Sequence, residues 1–442
     1  MGAFKNLYLL ENLFNKKGGN NLGINKITTG LKEFPKYLNI NTISTGTIAA
    51  IFGCTGPALI IIGGAADGGL THEQTISWLF AVYFFGGLLG IYLALKYRQP
   101  IAGAYSIPGA VLVAGALTQF SLNEIAGAYF MAGVIVFILG ITKTIGRIMN
   151  WIPVPIVMGM IVGAMIRFGT GMITSIEQAP FIAGTAVLVY LFSVRFIKVI
   201  PPILTSFFAS VILVVIMNQF QFQDTESSFI IPHIIIPSFS LDAIISVSLP
   251  LALLVIGAEN AQATGVLMAQ GYKPPVNIMT ILSGIGGIVT SFFGGHNANI
   301  AGPMTAICAS DEAGKNKDGR YAAVVVNGIL FSLFGLLAGI VVPFVTALPS
   351  VLVGTIAGLA MISVLVNSLQ AAFSDIKFQI GAFFALVTGM SGVSFFNISS
   401  PFWALIGGVI VSLLIEPDHF RNKNDKQHEL SEKMAQAISE TS

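Results

Sequence analysis

Charged residues are scarce in this chain: Asp, Glu, Lys and Arg make up 10% of its 442 residues, against about 25% in soluble domains. So few charges exclude an ordinary soluble globular domain. Hydrophobic residues make up 54%, and apolar runs near the roughly 20 residues needed to cross a bilayer recur along nearly the whole length. The composition therefore predicts a polytopic membrane protein.

Cysteine is also rare, with only Cys54 and Cys308, which lie far apart in apolar segments. Such cysteines behave as small hydrophobic residues, so we expect no disulfide, metal site or bound cofactor. The segment THEQT at 71–75 lacks the second histidine of the zinc motif HExxH, and an enzyme is not expected. We also expect no cleavable signal peptide, because the lysine-rich N-terminal segment lacks a clean apolar core.

The apolar runs between polar breaks give fourteen candidate spans. They cover residues 43–64, 74–95, 101–118, 124–142, 152–174, 180–197, 201–218, 243–269, 275–293, 298–310, 321–343, 348–370, 378–393 and 400–416.

Basic residues test this count, because Lys and Arg concentrate in cytoplasmic loops. With fourteen spans, the two tails and the even-to-odd loops hold twenty-one of the 22 basic residues, and the opposite loops hold none. Both tails, 1–42 and 417–442, are therefore predicted to be cytoplasmic. The remaining residue, Arg167, lies toward the outer end of span 5. It either snorkels to the interface or pairs with a carboxylate or substrate in a cavity.

Span 3 is interrupted by the stretch AYSIPGAVL at 104–112. Pro108 is favoured at the first position of a helix, and the residue before a proline avoids helical geometry. The pattern predicts an extended piece followed by a half-helix of about eleven residues, about 16 Å long. Span 10 follows the same plan, with an extended piece from His296 to Ala301 and a half-helix from Pro303.

The two interrupted spans lie seven spans apart, so they must cross the membrane in opposite directions. Matched interrupted spans indicate an inverted-repeat transporter with its substrate site between them. The predicted fold is an all-α polytopic membrane protein of 14 transmembrane spans in a seven-plus-seven inverted repeat. The facing helix N-termini would suit an anion or a hydrogen-bonding ring. The alternative is two kinked helices that resemble each other by coincidence.

Glu259 is the only one of 20 acidic residues that lies well inside a span, near the middle of span 8. A lone charge at that depth costs several kcal/mol unless it is protonated, paired or hydrated, and burial favours its neutral form. Glu259 is therefore predicted to carry the coupling proton. His296 is a second candidate for proton coupling, or it caps the half-helix of span 10.

Three segments resemble the benzoate/proton symporter (BenE) family, which is related to the nucleobase/ascorbate and sulfate transporter families. They are AYSIPGAVL, ENAQATGVLMAQGYKPPVN and FGGHNANIAGPMTAICASDEAGKNKDGRYAA. The resemblance extends from about residue 40 to 415. It implies a core domain that moves like an elevator against a gate domain. The core would comprise residues 43–145 and 241–345, and the gate 146–220 and 346–416.

The resemblance also implies the substrate contacts, which span 1, the two interrupted spans and span 8 provide. They are Thr55, Tyr105, Ser106, Ile107, Gly109, Glu259, Asn260, Gln262, Asn297, Asn299 and Gly302. One departure concerns the substrate: benzoate transporters often carry glutamine where this chain has Glu259, whereas nucleobase relatives carry glutamate.

The sequence thus predicts a symporter that imports a small aromatic carboxylate such as benzoate, with protons as the coupling ion. A uracil- or purine-like substrate is the first alternative, and an anion channel on the same fold is the second. The expected partners are a small molecule and the lipid bilayer, without nucleic acid, and the gate domain is the candidate surface for a homodimer. The positive-inside pattern fits a bacterial inner membrane.

Overall fold

The structure is a computed structural model that describes residues 22–144, 153–197, 201–220, 232–374, 376–393, 395 and 400–420. The described chain is almost entirely helical. The helices of its first half are α1 Leu22–Tyr37, α2 Ile40–Cys54, α3 Gly56–Asp67, α4 His72–Tyr97, α5 Ile107–Ala116, α6 Leu122–Thr142, α7 Val154–Gln178, α8 Pro180–Phe196 and α9 Pro202–Ile216.

The second half begins with α10, residues 241–269, which contains two π-helical segments, Ile244–Ser248 and Leu254–Asn260. The helices after it are α11 Val276–Ser291, α12 Gly302–Ala309, α13 Tyr321–Leu336, α14 Ala338–Thr346, α15 Ser350–Phe373, α16 Gln379–Ser391 and α17 Ser400–Ile415. Two short strands, β1 Gly103–Ala104 and β2 Asn299–Ile300, precede α5 and α12.

In the part of the chain that the structure describes, seven helical segments are long and apolar enough to cross a membrane, and six shorter helices are also apolar. This count takes α2 and α3 as one segment, Ile40–Asp67, and extends α13 to Lys317–Leu336. These helices coincide with the predicted spans to within a few residues at most ends. The prediction of a nearly all-helical, multi-pass membrane protein is confirmed.

Two predicted spans are each divided into two helices. Residues 43–64 are interrupted at Thr55, between α2 and α3, and residues 321–343 at Leu337, between α13 and α14. The first interruption has a clear cause, because Pro57 has no N–H to donate to the Gly53 carbonyl one turn earlier. That carbonyl accepts a hydrogen bond of 2.6 Å from the Tyr83 hydroxyl instead.

The strands β1 and β2 pair antiparallel, with Gly103 opposite Ile300 and Ala104 opposite Asn299. The pair lies directly against α4, because Gly86 has no side chain between its backbone and β1. A Cβ atom on Gly86 would lie 2.6 Å from the Ala104 carbonyl oxygen. The glycine therefore allows extended backbone to reach the centre of a helical protein.

Most of the helices pack in two sets, and the strand pair lies within the first set, against α4 and α11. In the first set, α13 packs on α2 and α4, and α6 packs on α11. In the second set, α7 packs on α15 and α16, and α16 packs on α17. The half-helices α5 and α12 begin close to where the sets face each other, so their N-termini are positioned for a site between the sets.

We predict that Gly86→Ala lowers the thermal unfolding midpoint of the detergent-solubilised protein. The added methyl group would overpack the contact with β1, which typically costs about 1–3 kcal/mol. Gly184→Ala is the matched control, because nothing lies within 4 Å of the Cβ that it adds. Equal midpoints for the two variants would contradict the close approach of β1 to α4.

Candidate functional site

A cavity of about 360 Å³ lies between the two sets of helices. We call it the central cavity. One wall comes from α5, α10 and α12, and the other from α7 and α15. Its lining residues are Ile107, Pro108, Val154, Met158, Ile161, Gly257, Ala258, Glu259, Ala261, Gln262, Pro303, Val364, Asn367, Ser368 and Ala371. The walls are mostly apolar, with a few polar groups, as in typical small-molecule sites.

The Glu259 carboxyl group lies at the N-termini of both half-helices. Its Oε2 atom accepts a hydrogen bond of 3.3 Å from the backbone amide of Gly302, the first residue of α12. The backbone amide of Ile107, the first residue of α5, and the Ser106 side chain interact with the same carboxyl group. The side chain is only 5% exposed. Free N–H groups at helix N-termini stabilise negative charge, so this site favours an anion.

The backbone around Glu259 departs from regular α-helix. Glu259 belongs to the π-helical segment Leu254–Asn260, in the middle of α10. Such π-bulges are rare and often occur at functional sites, because the extra residue changes the direction of the side chains. Here the segment places Glu259 between α5 and α12, whereas the next residue, Asn260, faces away from the cavity.

His296 connects the two interrupted regions through its ring. Its Nδ1 atom accepts a hydrogen bond of 3.0 Å from the Trp78 indole N–H, and its Nε2 atom lies 2.9 Å from the Ser106 carbonyl oxygen. An indole nitrogen can only donate, so the His296 proton belongs on Nε2, where it reaches the carbonyl. A second proton on Nδ1 would oppose the Trp78 N–H. These hydrogen bonds support a structural role for His296, but the predicted cap of the span 10 half-helix is wrong. The ring bonds to Trp78 and to the Ser106 carbonyl before α5, and it does not cap the N-terminus of α12.

Three of the residues implied by the resemblance line the central cavity: Ile107, Glu259 and Gln262. Two more, Ser106 and Gly302, do not line the cavity but directly precede lining residues, Ile107 and Pro303. Ser106 caps α5 by accepting a hydrogen bond of 3.1 Å from the Gly109 amide. Gly302 lies so close to Gln262 that a Cβ atom there would be 2.3 Å from the Gln262 Oε1 atom.

The remaining candidates do not line the central cavity: they are Thr55, Tyr105, Gly109, Asn260, Asn297 and Asn299. Asn260 bonds to Thr280 and Ser283 of α11, and Asn297 accepts the Ser106 amide at 3.0 Å. Asn299 is fully buried in β2, and its side-chain amide has no hydrogen-bond partner among the described residues. Of the three asparagines, only Asn297 therefore holds the interrupted backbone.

Thr55 and Tyr105 also form hydrogen bonds within the protein. The Thr55 hydroxyl donates to the Ile51 carbonyl at 2.9 Å. The Tyr105 hydroxyl is 2.7 Å from the Tyr83 hydroxyl, which reaches the carbonyl freed by Pro57.

Sequence reasoning missed two polar residues on the opposite wall, Asn367 and Ser368 of α15, and it missed Trp78. The adjacent polar pair inside apolar span 12 was a usable signal. No sequence signal distinguishes Trp78 from an ordinary apolar residue of a span, because its partner His296 lies 218 residues away.

We predict that His296 is the neutral Nε2–H tautomer near neutral pH, which ¹⁵N NMR of histidine-labelled protein can show, with His296→Gln assigning the signal. Trp78→Phe should leave the proton on Nε2, where it reaches the Ser106 carbonyl, and should change the chemical shift of Nδ1, because it removes the N–H that donates to that atom. A wild-type signal from the Nδ1–H tautomer or from imidazolium would contradict the assignment.

Comparison with known proteins identifies the family. The family model described as Benzoate membrane transport protein matches residues 36–414. The Benzoate membrane transport protein of Acinetobacter baylyi is 28% identical over 399 residues, which is 88% of this chain and 99% of the relative. The inner membrane protein YdcO of Escherichia coli is 30% identical over 385 residues, covering 86% of this chain and 97% of the relative.

A solved transporter domain has a fold similar to that of this chain. The transmembrane domain of a cyanobacterial bicarbonate transporter, BicA, superposes with a TM-score of 0.57 at 13% identity, covering 84% of this chain and 97% of that chain. At such low identity the likeness concerns the fold alone. Together with the match over residues 36–414, these comparisons show that the chain belongs to the benzoate membrane transport protein family and is a membrane transport protein.

Proposed function

We propose that this protein is a proton-coupled symporter that imports a small aromatic carboxylate, with benzoate as the substrate that the family name supports. The observation that carries the proposal is the position of Glu259. Its carboxyl group lies where a substrate carboxylate would bind, at the N-termini of α5 and α12.

The coupling follows from competition between two carboxylates. An ionised Glu259 accepts the hydrogen bonds that the substrate anion needs, and it also repels the substrate. A protonated Glu259 has lost the charge that held it at the two N-termini, and its O–H can donate to the substrate. Substrate and proton therefore bind together, and neither binds well alone. Because a monoanion moves with one proton, transport is electroneutral; a second proton would make it sensitive to voltage.

The central cavity also fits the aromatic part of the substrate. Apart from Glu259, Gln262, Asn367 and Ser368, its walls are apolar, and an apolar wall favours the ring of an aryl acid over a small inorganic anion. A uracil-like ring remains the alternative substrate, because an ionised Glu259 pairs well with ring N–H donors.

The movement in this proposal is an elevator-like displacement of the core against the gate. The core would comprise residues 43–145 and 241–345, and the gate 146–220 and 346–416. The two sets of packed helices and the cavity between them support this division. The interrupted regions before α5 and α12, which pair as β1 and β2, support an inverted repeat of fourteen spans.

We further propose that both tails are cytoplasmic and that the protein resides in a bacterial inner membrane, as the name of the Escherichia coli relative indicates for that protein. A homodimer would form through the gate, where α8 exposes large apolar side chains such as Phe181 and Leu188.

The proposal predicts that purified protein in proteoliposomes accumulates labelled benzoate under an inward proton gradient. With one proton per benzoate, a gradient of one pH unit supports about tenfold accumulation. Glu259→Gln should abolish accumulation, because its amide cannot exchange a proton, while benzoate exchange continues. The control Glu177→Gln makes the same chemical change at an exposed position and should behave like wild type.

Labelled uracil, tested in parallel, distinguishes the alternatives. Accumulation of uracil in place of benzoate would retain the coupling mechanism and overturn the substrate. Passive equilibration of anions without gradient-driven accumulation, in wild type and both variants, would replace the symporter with a channel.

A further inference from the structure

A second cavity of about 490 Å³ lies at the opposite ends of α5, α7 and α15, three of the helices that line the central cavity. We call it the Arg167 cavity. Helix α7 reaches the central cavity with Ile161 and the Arg167 cavity with Arg167, six residues later. Six residues correspond to about 9 Å along a helix. Helix α15 likewise reaches the Arg167 cavity with Ser350 at its first residue and the central cavity with Asn367.

Among the described residues that line this cavity, Arg167 is the only basic one, and it is exposed. One guanidinium nitrogen, Nη2, donates to the Val111 carbonyl of α5 at 3.1 Å. A guanidinium has five N–H donors, so most of its capacity is not used by this bond. Among the residues that the structure describes, no carboxylate oxygen forms an ion pair with Arg167 within 4.0 Å.

The surroundings of Arg167 suit an aromatic acid. The guanidinium lies over the ring of Phe168, with 5.4 Å between the guanidinium carbon and the ring centroid, and Phe168 also lines the cavity. Thr174 and Ser350 add hydroxyl groups, and α15 begins at Ser350 with the positive end of its dipole. The cavity thus offers a bidentate partner for a carboxylate and an aromatic surface for a ring.

Asp67, at the end of α3, is the one acidic residue among those lining this cavity, and its charge acts on Arg167. It is not in contact with the guanidinium, so it competes with an incoming carboxylate at a distance. Removing this charge should therefore strengthen carboxylate binding, whereas removing Arg167 should weaken it.

We propose that the Arg167 cavity is a second, proton-independent binding site for the transported aromatic carboxylate, separate from the site at Glu259. The proposal rests on the proposed function, which identifies the substrate class. With both tails cytoplasmic, this cavity lies on the outer side, where Arg167 would capture the acid before the core presents the central cavity.

The test is equilibrium binding of labelled benzoate to the full-length protein in detergent, at several pH values. Wild type should bind two benzoates per chain, one with an affinity that falls as pH rises and one with an affinity that does not. Arg167→Gln should weaken the pH-independent site by about tenfold or more, because it removes a charge-assisted pair. Arg167→Lys should retain much of it, and Asp67→Asn should tighten it.

Arg195→Gln is the matched control, because Arg195 also lies over the ring of the following residue, Phe196, at 5.7 Å. It should bind as wild type does. A single proton-linked benzoate in wild type, or two unchanged sites in Arg167→Gln, would overturn the second site and leave the proposed function intact. If wild type binds a single benzoate, at a pH-independent site that Arg167→Gln weakens, the result would support this inference and count against the site at Glu259. Absence of all benzoate binding would overturn both.

Discussion

Backbone that leaves helical geometry inside a membrane must find its hydrogen-bond partners within the protein, because lipid offers none. This constraint explains the centre of the structure. The strands β1 and β2 satisfy each other, and side chains serve the groups around them: the Asn297 amide oxygen accepts the Ser106 N–H, and His296 reaches the Ser106 carbonyl. The interrupted regions thus find their hydrogen-bond partners within the protein.

The same constraint generates the chemistry. Each interruption creates a helix N-terminus with free N–H groups, and two such ends converge on the central cavity. A carboxylate satisfies them best, and the protein supplies one in Glu259. We propose that this site opens to another acid only when its own acid, Glu259, is protonated. In this account, proton coupling requires no separate relay, because the proton acts directly at the group that competes with the substrate.

Much of this arrangement was predictable from the sequence, because its signals are local. The half-helices predicted from Pro108 and Pro303 begin one residue earlier, at Ile107 and Gly302. Glu259 was recognisable as the single acidic residue well inside a span, and this signal required no knowledge of its neighbours.

The other features depend on contacts across the fold, which residue patterns do not contain. Asn260 was expected to contact the substrate, but its side chain bonds to Thr280 of α11. It lies on a different face of α10 from Glu259, which the sequence pattern did not reveal. Pro57 is visible in the sequence, but the sequence gives no sign that Tyr83 would satisfy the carbonyl that this proline leaves free. Which face of α15 meets the core was likewise open, so Asn367 and Ser368 were not identified as part of the cavity wall.

The central claim is that benzoate binds in the central cavity only as Glu259 takes up a proton. The most direct measurement is proton uptake during benzoate binding, recorded in weakly buffered solution with purified protein, near a pH at which Glu259 is ionised. The account predicts uptake of about one proton per benzoate bound in the central cavity, and none for Glu259→Gln. No proton uptake by wild type at saturating benzoate, or equal uptake by the variant, would contradict it.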